Sequence, residues 1–302
     1  MKKISLIALI VLLVTGQGFC LQLIIPSEVT QGEVFTVFLT EDILENGITV
    51  SLGRGGDIYS STNSFSAVID GARRTLALLG VPSTLSPGRY TVSASDGEET
   101  VETEFLVIKK EFIEENIVLG KSMSSLRKSD DIRKAEQWRN LYAILKTVNT
   151  ADVFEDDGLI LPVESLRKTS FFGDRRTFKY NDGTSAQSIH NGIDYSAETG
   201  TPVYAAGDGK VLLSVERILS GLTVVIEHLP GVYSLYFHLD SIETGEGLMV
   251  KAGDLIGTVG STGLVTGAHL HWEVRVAGVA VDPEALVGSF IIDKDFILSN
   301  IE

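Results

Sequence analysis

Cys20 is the only cysteine in this chain of 302 residues, so no disulfide can form within it. Basic residues are also scarce: 25 Lys and Arg stand against 40 Asp and Glu, a formal net charge of −15. A surface that acidic repels phosphates and anionic lipid, which argues against nucleic acid as a partner. Beyond the first twenty residues no apolar stretch is long enough for a transmembrane helix. His-Glu-x-x-His does not occur either, so the helix-borne glutamate base of many zinc proteases is missing.

The N-terminus reads as an export signal. Met1-Lys2-Lys3 is basic, Ile4 to Val14 is an apolar run too short to span a bilayer, and the small residues Gly16 and Gly18 follow. The expectation is a signal peptide over residues 1–20, cleaved after Gly18 or Cys20, and an exported protein, periplasmic or extracellular. Lipid anchoring through Cys20 is the second reading, weakened by the bulky Phe19 before it.

The remaining length supports about two domains, each able to bury a core. Residues 21–110 show short alternating runs, among them Val34 to Leu39, Ile48 to Leu52 and Tyr90 to Ala94, with turn signals at Asn46-Gly47, Pro87-Gly88 and Asp96-Gly97. That pattern predicts an immunoglobulin-like β-sandwich. The period then changes. Ser129-Asp130-Asp131 can cap a helix in which Ile132, Ala135, Trp138, Leu141, Tyr142, Leu145 and Val148 form one stripe, giving a helical connector over 111–158. Residues 159–290 return to strands with glycine at nearly every turn, and 291–302 form a C-terminal tail. The expected class is mainly β.

Four of the five histidines fall between His190 and His271, with Asp194 among them. On a strand, His269 and His271 face one way while Leu270, Trp272, Val274 and Val276 face the other, into a core. Gly192 between His190 and Asp194 favours a loop or strand end over one helical turn. Imidazoles with one carboxylate suit a zinc ion, which in a catalytic site takes three protein ligands and leaves one position open. The plain alternative, isolated core or surface polar residues, fits any one of these positions better than the whole set.

Around these residues, from about Ser170 to Pro283, the chain resembles the M23 zinc metallopeptidases, which cut peptide bonds in bacterial peptidoglycan. The resemblance is carried by Phe172-Gly173-Asp174-Arg175-Arg176, His190 to Asp194, Gly200 to Ala206, Gly209-Lys210-Val211, Tyr236-Phe237-His238-Leu239, Gly253 to Gly257, Gly260 to Gly263, Gly267 to Glu273 and Val281-Asp282-Pro283. It implies one Zn2+ per catalytic domain, bound by His190, Asp194 and His271, and an antiparallel, β-hammerhead-like peptidase domain. It also implies that His269 and His238 do not bind metal but handle the attacking water and the oxyanion. Peptidoglycan peptides would be the substrate. Members of the family that only regulate other wall hydrolases typically lose some of these residues; this chain keeps all five.

Other positions carry weaker expectations. With no glutamate base, histidine must do the proton work, His269 as base. Tyr236 should share a face with His238 on the strand Ser234 to His238, so either could donate to an oxyanion. Glu273 and Arg275 share the face of His269 and His271 and either orient a ligand imidazole or form a solvated salt bridge. Asp174, Arg175 and Arg176 either shape the groove or bind substrate carboxylates, with Arg175 the candidate substrate contact, or make a charged turn. His228 lies outside every spacing and reads as structural. Biotinyl and lipoyl carriers share the sheet pattern around Pro202 and Val250, but the carrier lysine at a hairpin between the halves is missing. The rival function is a non-catalytic wall-binding regulator that retains the fold.

Overall fold

A computed structural model describes residues 21–40, 47–151, 153–154, 158–289 and 291–300. The predicted signal segment with Cys20, residue Asn46 of the first turn and part of the acidic 152–158 loop lie outside the described residues. The architecture is mainly β, as expected.

Two sheets form the N-terminal block. Strands Leu23–Ile24, Val34–Leu39, Ala72–Gly80 and Phe65–Ile69 make one; Glu28–Thr30, Thr100–Ile108, Gly88–Ser95, Thr49–Arg54 and Asp57–Asn63 make the other. Val37, Leu52, Leu79, Val92 and Phe105 fill the space between them. Strand Val34–Leu39 is apolar on both faces because both faces are covered. Phe35, Val37 and Leu39 point into the sandwich, while Phe38, with Leu76 and Leu78 beside it, joins the core that holds Trp272 and Val274 of the histidine-bearing strand. One continuous apolar core therefore ties the sandwich to the C-terminal unit.

That unit is built on a ten-stranded sheet. Its path runs Lys168–Ser170, Ile193–Ser196, His269–Val276, Val232–Ile242, Gly221–Leu229, Gly209–Arg217 and Met249–Val250, with Pro202–Tyr204, Leu255–Val259 and Val279–Val281 paired off it. Alternation along His269–Val276 is as expected: Leu270, Trp272, Val274 and Val276 are in the core.

The segment before it departs from a purely helical connector. Glu114–Val118 is a strand that pairs parallel to Arg175–Lys179, which in turn pairs with Ser185–Ile189. Alternating half-buried and exposed positions in this polar run hide the strand period from a hydrophobicity reading. Helices Lys121–Lys128 and Ile132–Leu145 follow, the second capped by Asp131, which accepts from Arg133 N at 3.0 Å. Only part of the expected stripe docks. Leu141 and Leu145 pack on Val225, Tyr233 and Leu235, whereas Ile132 is 69% exposed and Trp138 stacks on Tyr142 at the surface. The last segment is no loose tail: Ile291, Ile292 and Ile297 enter the shared core, and Asp293 N donates to Thr36 Oγ1 at 3.0 Å.

Candidate metal centre

Pairing register alone brings two polar side chains and a phenyl ring into one row. Asp194 lies opposite His271, and His271 opposite Phe237, on three adjacent strands; the alternate positions Ile193, Trp272 and Tyr236 make the matching row on the core face. His190 reaches the polar row from the end of strand Ser185–Ile189. The chain there passes very close to the histidine strand, and a Cβ on Gly192 would stand 2.3 Å from Trp272 O, so glycine is required between His190 and Asp194.

His190, Asp194 and His271 are all buried and form a candidate metal cluster. Asp194 Oδ1 lies 3.0 Å from His190 Nε2 and 2.7 Å from His271 Nδ1, and the two nitrogens are 2.9 Å apart. Ligands that each stand about 2 Å from one ion must be spaced in about this way. The outward atoms are engaged elsewhere. His190 Nδ1 donates to Phe171 O at 2.8 Å, which leaves Nε2 with a lone pair facing a carboxylate oxygen. Two acceptors at 3.0 Å repel each other, and a cation between them turns the repulsion into attraction. The donor set therefore fits a metal.

Each member of the cluster is held from behind. Asp174 Oδ2 accepts from Phe171 N at 2.8 Å, and Asp174 O accepts from His190 N at 2.9 Å, so the Phe171 to Asp174 turn presents the carbonyl that orients His190. Burial raises the Asp174 carboxyl above its ordinary range. His271 Nε2 donates to Glu273 Oε1 at 2.9 Å, and Arg275 Nε donates to Glu273 Oε2 at 2.7 Å. Glu273 and Arg275 are only 5% and 7% exposed, which rules out the solvated-salt-bridge alternative. Burial pushes the Glu273 carboxyl up, but Arg275 and His271 outweigh it and hold it at about 2. Burial likewise opposes charge on His271, yet Asp194 and Glu273 prevail and push its pKa up to about 9. For Asp194, too, the cost of burial is outweighed by His190 and His271, and its carboxyl stays well below the usual range.

The other two histidines stand on the open side. His269 Nδ1 donates to Gly267 O at 2.8 Å, and its Nε2 is 3.6 Å from Asp194 Oδ1. His238 Nδ1 donates to Thr262 O at 2.8 Å, and its ring centre is 5.0 Å from that of His269. Burial, followed by repulsion from His269 and His271, brings His238 down to about 3, so it is neutral.

Tyr236 does not share this face, which corrects the expectation. The register between strands Gly221–Leu229 and Val232–Ile242 shifts between Leu222 and Val224, and His238 takes up the extra residue with φ +64. Such a bulge re-aims one side chain without disturbing the next pair. Tyr236 is fully buried on the core side; its hydroxyl accepts from Ala206 N at 2.8 Å and from Ser234 Oγ at 2.9 Å, and burial pushes its pKa up to about 12. Phe237 takes the site face instead, nearly parallel to His271 at 5.2 Å. His228 completes the buried chain: it donates from Nδ1 to Asp208 O at 2.8 Å, and its Nε2 is 2.7 Å from Ser234 Oγ. It has no place near the cluster, in keeping with a structural role.

Of the two arginines expected at the groove, Arg176 reaches it and Arg175 does not. Arg175 lies over Phe112 at 4.3 Å and donates from Nη2 to Ser83 O at 2.6 Å, so it fastens the sandwich rather than contacting the groove. Its strand neighbour Arg176, pointing the opposite way, donates from Nη2 to Asp194 Oδ2 at 2.8 Å and from Nε to Glu115 Oε2 at 3.0 Å. Adjacent strand residues always divide in this way, but sequence alone does not say which face is which.

Comparison with known proteins agrees with this geometry. Residues 188–283 match the model of Peptidase family M23. DD-carboxypeptidase/endopeptidase Mpg of Neisseria meningitidis serogroup B is 46% identical over 95 residues, 32% of this chain and 22% of that protein. Peptidoglycan DD-endopeptidase ShyC of Vibrio cholerae is 37% identical over 147 residues, 46% of this chain and 33% of that protein. The match thus spans a third or less of the length of these relatives. A structure from Pseudomonas aeruginosa assigned to peptidase M23 superposes with a TM-score of 0.62 at 25% identity, covering 86% of this chain and 95% of that one. Residues 188–283, which contain His190, Asp194, His238, His269 and His271, thus match peptidase family M23, and the sheet that carries them superposes on a structure assigned to that family.

Proposed function

We propose that this protein is an exported, zinc-dependent endopeptidase that hydrolyses peptide bonds in peptidoglycan stem peptides or crosslinks. The observation that carries the reading is the buried His190, Asp194 and His271 cluster with two further histidines on its open side. The substrate is supported by the two relatives named above as peptidoglycan or DD-specific peptidases, and export by the N-terminal signal pattern.

His190 through Nε2, Asp194 through Oδ1 and His271 through Nδ1 would hold the ion. When bound, zinc supplies Lewis acidity, polarising an amide carbonyl and lowering the pKa of water to roughly 7. His269, with Nδ1–H committed to Gly267 O, offers a lone pair on Nε2 to take the proton of the attacking water and deliver it to the departing amine. Once protonated, the same nitrogen is a donor for the oxyanion. His238 is held in the corresponding tautomer by Thr262 O, so its Nε2 also accepts. Donation to an oxyanion would need a second proton, which burial opposes, and its role is to align the water. Arg176 and Glu273 act through Asp194 and His271 as positioning residues.

Purified protein incubated with peptidoglycan should release new amine ends, and chelation should stop the release. Intact muropeptides after long incubation with stoichiometric zinc would favour the regulator instead. Glu273→Gln should weaken metal binding by about 10–100-fold in chelator competition, because ring orientation and imidazole basicity both depend on that carboxylate; unchanged affinity would remove Glu273 from the account.

Metal uptake should also depend on pH. His271 sits at about 9 without metal, above the ordinary histidine value, so it carries an extra proton at pH 7 that must leave for Nδ1 to bind. Affinity should therefore rise about tenfold per pH unit from 7 towards 9 and flatten above, with close to one proton released per ion at pH 7 in calorimetry across buffers. A flat profile from 7 to 9 would contradict this.

A further inference from the structure

The cavity over the histidines, about 640 Å³, has two walls. One is the sheet with His190, His238 and His269; the other is the connector, which contributes Arg127, Lys134 and Trp138. This second wall is fixed in place. Leu141 and Leu145 share a core with Val225, Tyr233 and Leu235, Arg217 Nη2 donates to Gln137 O at 3.1 Å, and Ile218 N donates to Gln137 Oε1 at 3.0 Å. This helix is therefore anchored by two buried leucines and by two hydrogen bonds through Gln137.

The charge of the cavity runs against that of the chain. In a protein of net charge −15, three cations lining this space have no carboxylate within ion-pair distance among the described residues. Arg127 lies over the Phe178 ring at 3.9 Å and donates to Tyr180 Oη at 3.2 Å. Lys134 donates to Leu126 O at 3.0 Å and Arg127 O at 3.2 Å. Arg217 donates to Ser220 Oγ at 3.0 Å, and Ser220 O in turn accepts from His238 N at 2.8 Å, which places this guanidinium beside the reactive side of the site. The other two arginines of the cavity are paired, Arg176 with Glu115 and Asp194, and Arg275 with Glu273. All three cations are half-buried; Arg217 feels Glu273 and Lys134 feels Asp131 only beyond direct ion-pair distance, and a cation withdrawn from water favours a direct anionic partner.

We propose that Arg127, Lys134 and Arg217 form an anion subsite that holds a free carboxylate of the peptide substrate, with the connector as a permanent wall of the groove. The proposal rests on the peptidase reading and deepens it: the groove selects carboxylate-bearing peptides over neutral ones. The test uses zinc-loaded full-length protein carrying His269→Ala to suppress turnover. Its probes are a D-alanine-containing tetrapeptide with free carboxylates and the same peptide fully amidated. The free acid should bind at least about tenfold more tightly, and adding R127Q, K134Q and R217Q should erase that difference while leaving the amide affinity unchanged. R217K, which restores charge, should retain most of the preference, and this separates a lost subsite from a damaged fold. Equal affinities in the parent protein, or a preference that survives the triple change, would overturn the proposal. So would faster hydrolysis of both peptides by the triple variant in an otherwise unaltered chain, which would mark the connector as a cover. Binding is read without turnover, so a protein that prefers the acid yet cleaves nothing refutes only the peptidase reading.

Discussion

Asp194→Ala should leave a folded protein with an empty metal site and a loss of hydrolysis greater than about 10⁴-fold, measured by metal content per chain and by release of new amine ends. Among the described residues, Asp194 Oδ1 is the anionic atom that faces both His190 Nε2 and His271 Nδ1. Without it two imidazoles remain, and Arg176 Nη2 loses the carboxylate oxygen it donated to, while its Nε keeps Glu115. A cation would then find no anionic oxygen between the two imidazoles to offset its charge. The strand itself should survive, because Ile193 and Tyr195 on either side are buried in the core. Metal content unchanged from the parent, or turnover within tenfold of it, would contradict the assignment.

His269→Ala separates chemistry from metal binding. It should retain one metal per chain and lose about 10²–10⁴ in kcat with little change in KM, the amount a positioned general base usually contributes. Its Nε2 stands 3.6 Å from Asp194 Oδ1, outside the spacing of 2.7 to 3.0 Å that joins the other three residues. His238→Ala should behave alike with a smaller loss, since a neutral acceptor that only aligns water does not carry the proton. Loss of metal from His269→Ala with retention in His271→Ala would exchange the two roles.

Some of this was legible from period and residue type alone. His269-Leu270-His271-Trp272 on a strand requires two faces of opposite character, and the structure has the histidines on one and Leu270 and Trp272 on the other. Strand Val34–Leu39 was legible as a strand, but not that both of its faces are covered, because sequence does not state which core a buried face meets. Tyr236 was misplaced for a definite reason. Strict alternation puts it with His238, but one extra residue at φ +64 resets the period, and no local glycine or proline announces it. Arg175 and Arg176 could not be told apart because their strand has charge on both faces. The strand Glu114–Val118 was hidden for a related reason: its covered positions are Glu115 and Ile117 and its exposed ones include Val118, so polarity does not follow the strand period. Glu273 and Arg275 looked as much like surface charges as buried ones; only the cross-strand neighbours show that they lie under the cluster.

Crystals of the full chain equilibrated with zinc, measured on both sides of the zinc absorption edge, test the central claim most directly. The account predicts one anomalous peak about 2 Å from each of His190 Nε2, Asp194 Oδ1 and His271 Nδ1, with His269 and His238 outside bonding distance. A peak bonded to His238 or His269 in place of one of those atoms, or no ordered peak between them, would contradict it.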